Sequence, residues 1–205
     1  MPDLTFQGSL FSGGAAAEPF DRNFDGVERI DLNRGAWVDR RPGWVNDPDQ
    51  LFVTALDALD WREGTEPTPV GEVPRPRLVA SFDRPDLPQG LEVFRDMSSA
   101  LSERYGVDLV RITCNLYRDG RDSVAWHGDR VARDLPEATV AIVSLGEPRP
   151  FKVRPKGGGP SIGWPAGRGD LFVMGGSCQR TYDHAIPKVA AAGPRIAVMF
   201  RHFYV

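Results

Sequence analysis

The sequence predicts an α+β fold in which two N-terminal helices cover one side of a C-terminal jelly roll. Before residue 107, apolar residues recur at helical spacing in two segments. After that residue, short apolar runs alternate with glycine-rich turn signals, a pattern typical of an antiparallel sandwich or barrel. The chain has 205 residues, enough for one domain with a substantial buried core.

Both predicted helices lie in the N-terminal half. The first spans residues 47–60, with Asp47 as its N-cap and Pro48 at the first helical position. The second spans about residues 89–105 and ends at Gly106, a suitable C-cap. Each helix has an apolar stripe along one face, so each is expected to pack against a core.

Most of the predicted strands lie in the C-terminal half. In the N-terminal half, residues 27–32 and 77–82 have a strand pattern, and the proline-rich segment 62–76 is predicted to be a loop or a sheet edge. Glycine-rich turn signals divide the rest of the chain into short apolar runs. The strands predicted from these runs are 108–115, 122–127, 138–145, 150–154, 160–164, 170–174, 181–186 and 195–203.

The pattern along the chain indicates one domain. Residues 1–25 are rich in Gly, Ala and Asp without periodicity, which predicts a flexible N-terminal arm. Residues 26–205 then form a single domain, with supporting helices in about 26–106 and the jelly roll in about 107–205. No apolar run reaches the roughly 18 residues that cross a bilayer, and no signal-peptide pattern is present. We therefore expect a cytoplasmic protein.

Composition argues against several other classes of protein. Apolar residues make up 41% and charged residues 26%, the balance of a soluble globular protein. A formal net charge of −3 argues against binding to nucleic acid by bulk charge alone. The basic segment 149–156 is either a local binding patch or a solvated hairpin. Cys114 and Cys178 are too few for a disulfide framework or a cysteine-based zinc site.

Two of the three histidines in the chain are candidate metal ligands. His127 stands two residues before Asp129 at the end of a predicted strand, and residues i and i+2 of a strand share a face. His184, on a late strand, is well placed to be the third ligand. Two histidines and one carboxylate are the ligand set of non-haem Fe(II) oxygenases, with open positions for a cosubstrate and O2. By itself His-x-Asp occurs by chance in many proteins, and the alternative is an exposed pair.

Two arginines and two neutral polar residues could bind an anion beside this metal. Arg195 and Arg201 are six residues apart on the last strand, so they share a face. Buried unpaired charge is costly, and a dicarboxylate would supply the counter-ions. Asn115 and Tyr117 also share a face and can hydrogen-bond a carboxylate. The alternatives are an edge strand with both arginines in solvent, and a capped turn before residues 119–120.

The motifs fall in one order along the chain: Asn115 to Gly120, His127-Gly128-Asp129, Ser144-Leu145-Gly146, Gly169-Asp170-Leu171, Gly175-Gly176, Arg180 to Lys188, and Pro194 to Arg201. In this combination they resemble the AlkB family of 2-oxoglutarate-dependent nucleic-acid dealkylases. The resemblance covers about residues 107–203 closely and residues 27–82 more loosely.

This resemblance implies a double-stranded β-helix core with a nucleotide-recognition lid, Fe(II), and the cosubstrates 2-oxoglutarate and O2. By position, it implies that the iron ligands are His127, Asp129 and His184. It also implies a cosubstrate pocket in which Arg195 grips the distal carboxylate of 2-oxoglutarate and three other residues complete the contacts: Asn115, Tyr117 and Arg201.

Substrate contacts are less well matched. By analogy they are Trp61, Phe82 and Arg154, with core packing of the aromatic residues and a solvated charge as the alternatives. Two positions depart from the family pattern. Ala197 stands where the family often has Asn, which removes one cosubstrate contact. Val131 stands where some members carry an acidic residue that touches the base, which leaves base preference open.

The function implied by the resemblance is oxidative dealkylation of N-alkylated bases in DNA or RNA, with release of an aldehyde, succinate and CO2. The partner would be alkylated single- or double-stranded nucleic acid, with the target nucleotide flipped or unpaired. We expect a monomer without a membrane partner. The alternative is a 2-oxoglutarate-dependent hydroxylase or demethylase of a protein or small molecule, which the acidic balance of the chain favours slightly. A non-catalytic binding relative and a cupin-like isomerase are the other readings of the fold.

Overall fold

The structure, a computed structural model, describes residues 18–68 and 71–202. Its strands are β1 (Glu28–Asp31), β2 (Ala36–Arg41), β3 (Thr65–Thr68), β4 (Gly71–Pro74), β5 (Leu78–Asp83), β6 (Arg111–Tyr117), β7 (Val124–His127), β8 (Val140–Gly146), β9 (Arg149–Pro155), β10 (Ile162–Ala166), β11 (Asp170–Gly176), β12 (Tyr182–Ile186) and β13 (Arg195–Arg201). Its α-helices are α1 (Pro48–Ala58), α2 (Glu92–Tyr105) and α3 (Cys178–Thr181), and short 3-10 turns occupy residues 33–35 and 84–86.

Two antiparallel sheets form the jelly roll. The larger has seven strands in the order β1-β2-β11-β8-β13-β6-β5, and the smaller has four in the order β10-β9-β12-β7. Strands β3 and β4 form a separate hairpin. All eight strands predicted beyond residue 107 are present, within a few residues at each end. The predicted fold class is thereby confirmed.

Alternating side chains of the central strands divide the core into two clusters. Along β13, Ile196, Val198 and Phe200 join the cluster that α1 and α2 bury against the larger sheet. Ala197 and Met199 point the other way, into a second cluster formed between the two sheets. The period of two in a strand therefore separates a helix-covered face from a face that lines the interior of the jelly roll.

The predicted helix signals are confirmed at both helices. The carboxylate of Asp47 accepts a hydrogen bond from the backbone N–H of Gln50, and Pro48 is the first helical residue. Gly106 ends α2 with a φ of 65°, in the left-handed region. Among the helices of residues 18–68 and 71–202, none is long and apolar enough to cross a membrane.

Three features differ from the prediction. The last part of the predicted N-terminal arm is packed: Phe20 is fully buried, with its ring centroid 4.6 Å from that of Trp44. The free energy gained by burying this large aromatic side chain outweighs the polar composition of the surrounding sequence. Residues 1–17 lie outside the described residues. Strand β2 and helix α3 were not predicted, because β2 carries charged residues and α3 is a single turn.

Gly146 ends β8 opposite Arg195, in a place where a side chain has no room. Its φ is 82°, and an added Cβ would lie 2.5 Å from the carbonyl oxygen of Pro194 and 2.9 Å from the Phe52 ring. Left-handed strain and overpacking each cost about 1–2 kcal/mol or more. We therefore expect Gly146→Ala to lower the free energy of unfolding in urea by at least about 2 kcal/mol.

Gly157 provides the matched control. Its φ is 88°, but an added Cβ would meet nothing within 4 Å. Gly157→Ala should therefore lower the free energy of unfolding only through left-handed backbone strain, by about 1–2 kcal/mol. Equal losses in the two variants would show that the close contacts at Gly146 do not constrain the chain.

Candidate metal and cosubstrate site

Three polar side chains meet inside the jelly roll. His127 and His184 are directly paired across β7 and β12, with ring centroids 4.2 Å apart. Asp129 lies two residues beyond His127, after the end of β7. One ligand atom from each of the three lies within 4.8 Å of the others. The structure thus brings together the three residues that the sequence suggested as metal ligands.

The protonation states in this cluster suit a divalent cation. Burial alone would raise the pKa of Asp129, but the charges of Arg201, His184 and His127 outweigh it and lower that pKa. Burial, with the neighbouring His127, lowers the pKa of His184 to about 3. At neutral pH the cluster therefore offers an ionised carboxylate and a neutral imidazole, the forms that bind metal.

Neighbouring groups hold the ligand atoms in place. The Nδ1 atom of His127 lies 2.8 Å from the carbonyl oxygen of Ala125, so Nδ1–H donates there and Nε2 is left to bind. That Nε2 lies 3.7 Å from Asp129 Oδ1. The Arg201 guanidinium donates to both oxygens of Asp129, at 3.1 and 3.2 Å. The side-chain oxygen of Gln179 accepts from the Asp129 backbone N–H at 2.8 Å.

A cavity of about 480 Å³ adjoins the cluster. Its inner part holds the predicted cosubstrate residues, and its mouth is formed by the β3–β4 hairpin and the residues that follow. Besides the three cluster residues, its lining is Glu66, Arg75, Arg77, Val79, Thr113, Asn115, Tyr117, Val124, Gly128, Arg130, Ile142, Phe151, Ile186, Arg195, Ala197, Met199 and Arg201.

Arg195 has an incomplete set of hydrogen bonds at the inner end of this cavity. It is 1% exposed and lies on β13, between β8 and β6, so the edge-strand alternative is wrong. Its Nε donates to the carbonyl of Ala166 at 3.0 Å and its Nη2 to Ser144 Oγ at 2.6 Å. The Tyr117 side chain interacts with the guanidinium, but Nη1 is buried and makes no hydrogen bond of ordinary geometry with any described residue. A buried guanidinium with a vacant donor, 5.2 Å from the Tyr117 ring centroid, fits one end of a carboxylate ligand.

The other predicted cosubstrate residues lie between Arg195 and the metal cluster. Asn115 and Tyr117 line the cavity on β6, directly opposite Ala197 and Arg195 of β13. Among the residues that the structure describes, the Asn115 amide makes a single long contact, 3.8 Å, with the sulfur of Met199. Its polar atoms can therefore bind a ligand carboxylate. Ala197 leaves open the space in which the family often has an Asn side chain.

The structure places the three predicted substrate contacts outside the lining of this cavity, and their contact with a substrate stays a prediction. The indole of Trp61 donates to the carbonyl of Leu56 and packs on the helix-covered core. Phe82 packs on the same core, because it shares the face of β5 with Leu78. The Arg154 guanidinium lies 4.2 Å from the Trp126 ring centroid. None of the three predicted contacts lines the cavity; core packing and a surface stacking contact explain them.

The residues at the cavity mouth were not among the site residues predicted from the sequence. Arg77 donates to Glu66 at 3.4 Å and to the carbonyl of Ser123 at 3.2 Å, and Arg75 lies beside them. The only sequence feature of this segment was its proline-rich composition. That composition predicts a loop or a sheet edge, but it does not show where in the fold the segment lies. Arg149 is 1% exposed and donates to three backbone carbonyls. It is therefore part neither of a surface binding patch nor of a solvated hairpin, the two alternatives for the segment 149–156.

Sequence comparisons agree with this geometry. The family model described as the 2OG-Fe(II) oxygenase superfamily matches residues 51–201, which include the metal cluster and both arginines of β13. Alpha-ketoglutarate-dependent dioxygenase alkB homolog 3 of Mus musculus is 27% identical over 214 residues, covering 93% of this chain and 75% of that protein. Its Homo sapiens counterpart is 28% identical over 203 residues, covering 87% of this chain and 68% of the human protein.

Solved structures share the fold. OsALKBH1 superimposes with a TM-score of 0.57 at 14% identity, covering 86% of this chain and 100% of that one. An oxidoreductase of the 2OG-Fe(II) oxygenase family from Burkholderia pseudomallei gives a TM-score of 0.54 at 14% identity, covering 82% and 87% of the two chains. At such low identity the likeness shows the fold alone, a double-stranded β-helix.

Proposed function

Because the chain belongs to the 2OG-Fe(II) oxygenase superfamily, and is thus a dioxygenase that uses Fe(II), 2-oxoglutarate and O2, we propose that it oxidatively dealkylates N-alkylated bases in DNA or RNA. One observation carries the chemistry: the His-Asp-His cluster and the vacant donor of Arg195 line one cavity. The nucleic-acid substrate is supported by similarity to alkB homolog 3 proteins over most of the chain. A cavity mouth with Arg75, Arg77 and Arg130 also fits a polyanionic substrate.

The residues of the cavity have separate tasks in this proposal. His127, Asp129 and His184 would hold Fe(II), which when bound supplies the oxidation of the alkyl carbon coupled to the decarboxylation of 2-oxoglutarate. Arg195 would bind the distal carboxylate of that cosubstrate through Nη1, the donor that no described residue occupies. Arg201 keeps Asp129 ionised and oriented, as the lowered pKa of that carboxyl indicates.

The part of the cavity proposed to hold the substrate excludes water and admits only a substrate of matching shape. Four apolar side chains line it next to the cluster: Val124, Ile142, Phe151 and Ile186. An alkylated base placed among them is shielded from solvent, and its alkyl group can approach the metal cluster. Since that group is inaccessible inside a duplex, the nucleotide must be flipped out or single-stranded.

A turnover assay tests the proposed function. The purified protein is supplied with Fe(II), 2-oxoglutarate and O2, and with oligonucleotides that carry N1-methyladenine or N3-methylcytosine. We expect formaldehyde and succinate in equal amounts, with loss of the methyl group by mass spectrometry, and no formaldehyde from unmethylated oligonucleotides. Succinate formation that responds to a methylated protein or small molecule but to no methylated nucleic acid would instead establish the alternative substrate class.

A further inference from the structure

A second depression continues the cavity past the metal cluster onto the surface. It measures about 440 Å³ and shares His127, Gly128, Asp129 and Arg130 with the cavity. We name it the basic groove. The rest of its lining is Arg133, Lys156, Gln179, Arg180 and Asp183. Apart from the Asp129 carboxylate, which Arg201 neutralises, the lining carries four cations and one anion.

None of the four cations has an acidic partner. Within residues 18–68 and 71–202, no carboxylate forms an ion pair with Arg130, Arg133, Lys156 or Arg180. Most other arginines of the surface do have one, as in the pairs of Arg118 and Arg168 with nearby carboxylates. In a chain with a net charge of −3, this is a local excess of positive charge beside the reaction site.

The fourth cation, Arg180, fixes the loop that carries Arg130 and Arg133. Arg180 donates to the backbone carbonyls of Val131, Ala132 and Leu135. Val131 is fully buried, so its side chain anchors this loop to the core. Lys156 donates in turn to the carbonyl of Arg180 at 3.4 Å. The groove is therefore built on a loop held at several points.

We propose that the basic groove binds backbone phosphates of the nucleic-acid strand on one side of the target nucleotide, an inference that rests on the proposed function. The groove begins at Arg130, next to the metal ligand Asp129, so a strand whose base enters the cavity brings a neighbouring phosphate to the groove. Of the described residues that line the groove, none has an apolar side chain. Phosphate binding needs only cations and polar groups, whereas protein partners are held mainly by apolar and aromatic anchors.

Salt dependence of binding tests the proposal. The triple variant Arg130→Gln, Arg133→Gln, Lys156→Gln removes up to three phosphate contacts. For single strands each contact contributes about 0.7 to the slope of log K against log salt. We expect the affinity for a methylated single-stranded oligonucleotide, measured by fluorescence anisotropy, to fall about 100-fold at about 0.1 M salt, and the slope to decrease by about 2.

A second triple variant controls for net charge. Arg22→Gln, Arg62→Gln, Arg121→Gln removes the same charge from arginines that are paired with carboxylates and line neither cavity nor groove. It should change the slope by less than about 0.5, because a lost phosphate contact is worth about 0.7. Thermal unfolding of both variants separates loss of binding from loss of folding.

The outcomes distinguish this inference from the proposed function. If the wild-type protein releases formaldehyde from methylated oligonucleotides but the two triple variants have the same slope, the groove proposal is overturned and the dealkylase remains. If the groove variant loses affinity for polyglutamate and not for the oligonucleotide, the groove binds an acidic protein and the proposal also falls. If the wild-type protein neither binds nor demethylates nucleic acid, both proposals fail.

Discussion

Asp129→Ala is expected to abolish the visible charge-transfer band that appears when Fe(II) and 2-oxoglutarate are added to the protein without O2. The carboxylate is the only anionic member of the cluster of three, and its lowered pKa keeps it charged at neutral pH. Loss of residues that merely orient metal ligands costs about 10- to 100-fold in affinity. Loss of Asp129 itself should therefore weaken Fe(II) binding by more than about 100-fold, as measured by anaerobic titration.

The same substitution removes the carboxylate that pairs with a buried arginine, so a control for folding is needed. Arg201 is 7% exposed and would lose its carboxylate partner, and breaking such a pair destabilises a protein by about 3–5 kcal/mol. Asp39 is an equally buried carboxylate, bonded to Arg29 and Tyr105 on the other side of the larger sheet. Asp39→Asn should lower stability and keep the band. A band that survives in Asp129→Ala would contradict the assignment of this residue as a ligand.

Strand periodicity made the inner end of the site predictable from sequence. Arg195 and Arg201 share a face because six is an even number, and the structure places both inside the jelly roll. His127 and Asp129 converge for a similar reason, although Asp129 lies just beyond the strand end. The third residue, His184, could be chosen because the chain has only three histidines. The spacing of residues within strands and the order of motifs along the chain were therefore enough to predict these site residues.

The mouth of the cavity could not be predicted in the same way. The segment that supplies Glu66, Arg75 and Arg77 has no hydrophobic period, so its position depends on contacts made after folding. Trp61 and Phe82 were predicted as substrate contacts by analogy with the family. Both pack against the helix-covered core and do not line the cavity, and a contact with substrate stays a prediction. Arg149 could not be recognised as buried, because its partners are backbone carbonyls, which leave no sequence signal.

Arg195→Met should raise the concentration of 2-oxoglutarate needed for half-maximal turnover by about 100-fold. A charge-assisted hydrogen bond to a carboxylate is worth up to about 3 kcal/mol, and 1.4 kcal/mol is tenfold in affinity. Methionine fills much of the buried space without a charge, and Fe(II) ligands are untouched. Pyruvate, a 2-oxo acid without the distal carboxylate, gives an internal check. The wild-type preference for 2-oxoglutarate over pyruvate should largely disappear in the variant.

Arg149→Met separates this specific effect from the general loss of a buried arginine. Arg149 is also 1% exposed and lies 5.8 Å from the same Tyr117 ring, but it donates to backbone carbonyls and does not line the cavity. Its loss leaves buried carbonyls unpaired, so we expect lower stability with an unchanged preference for 2-oxoglutarate over pyruvate. If Arg149→Met and Arg195→Met weakened that preference equally, the vacant Nη1 of Arg195 would not be the group that binds the distal carboxylate.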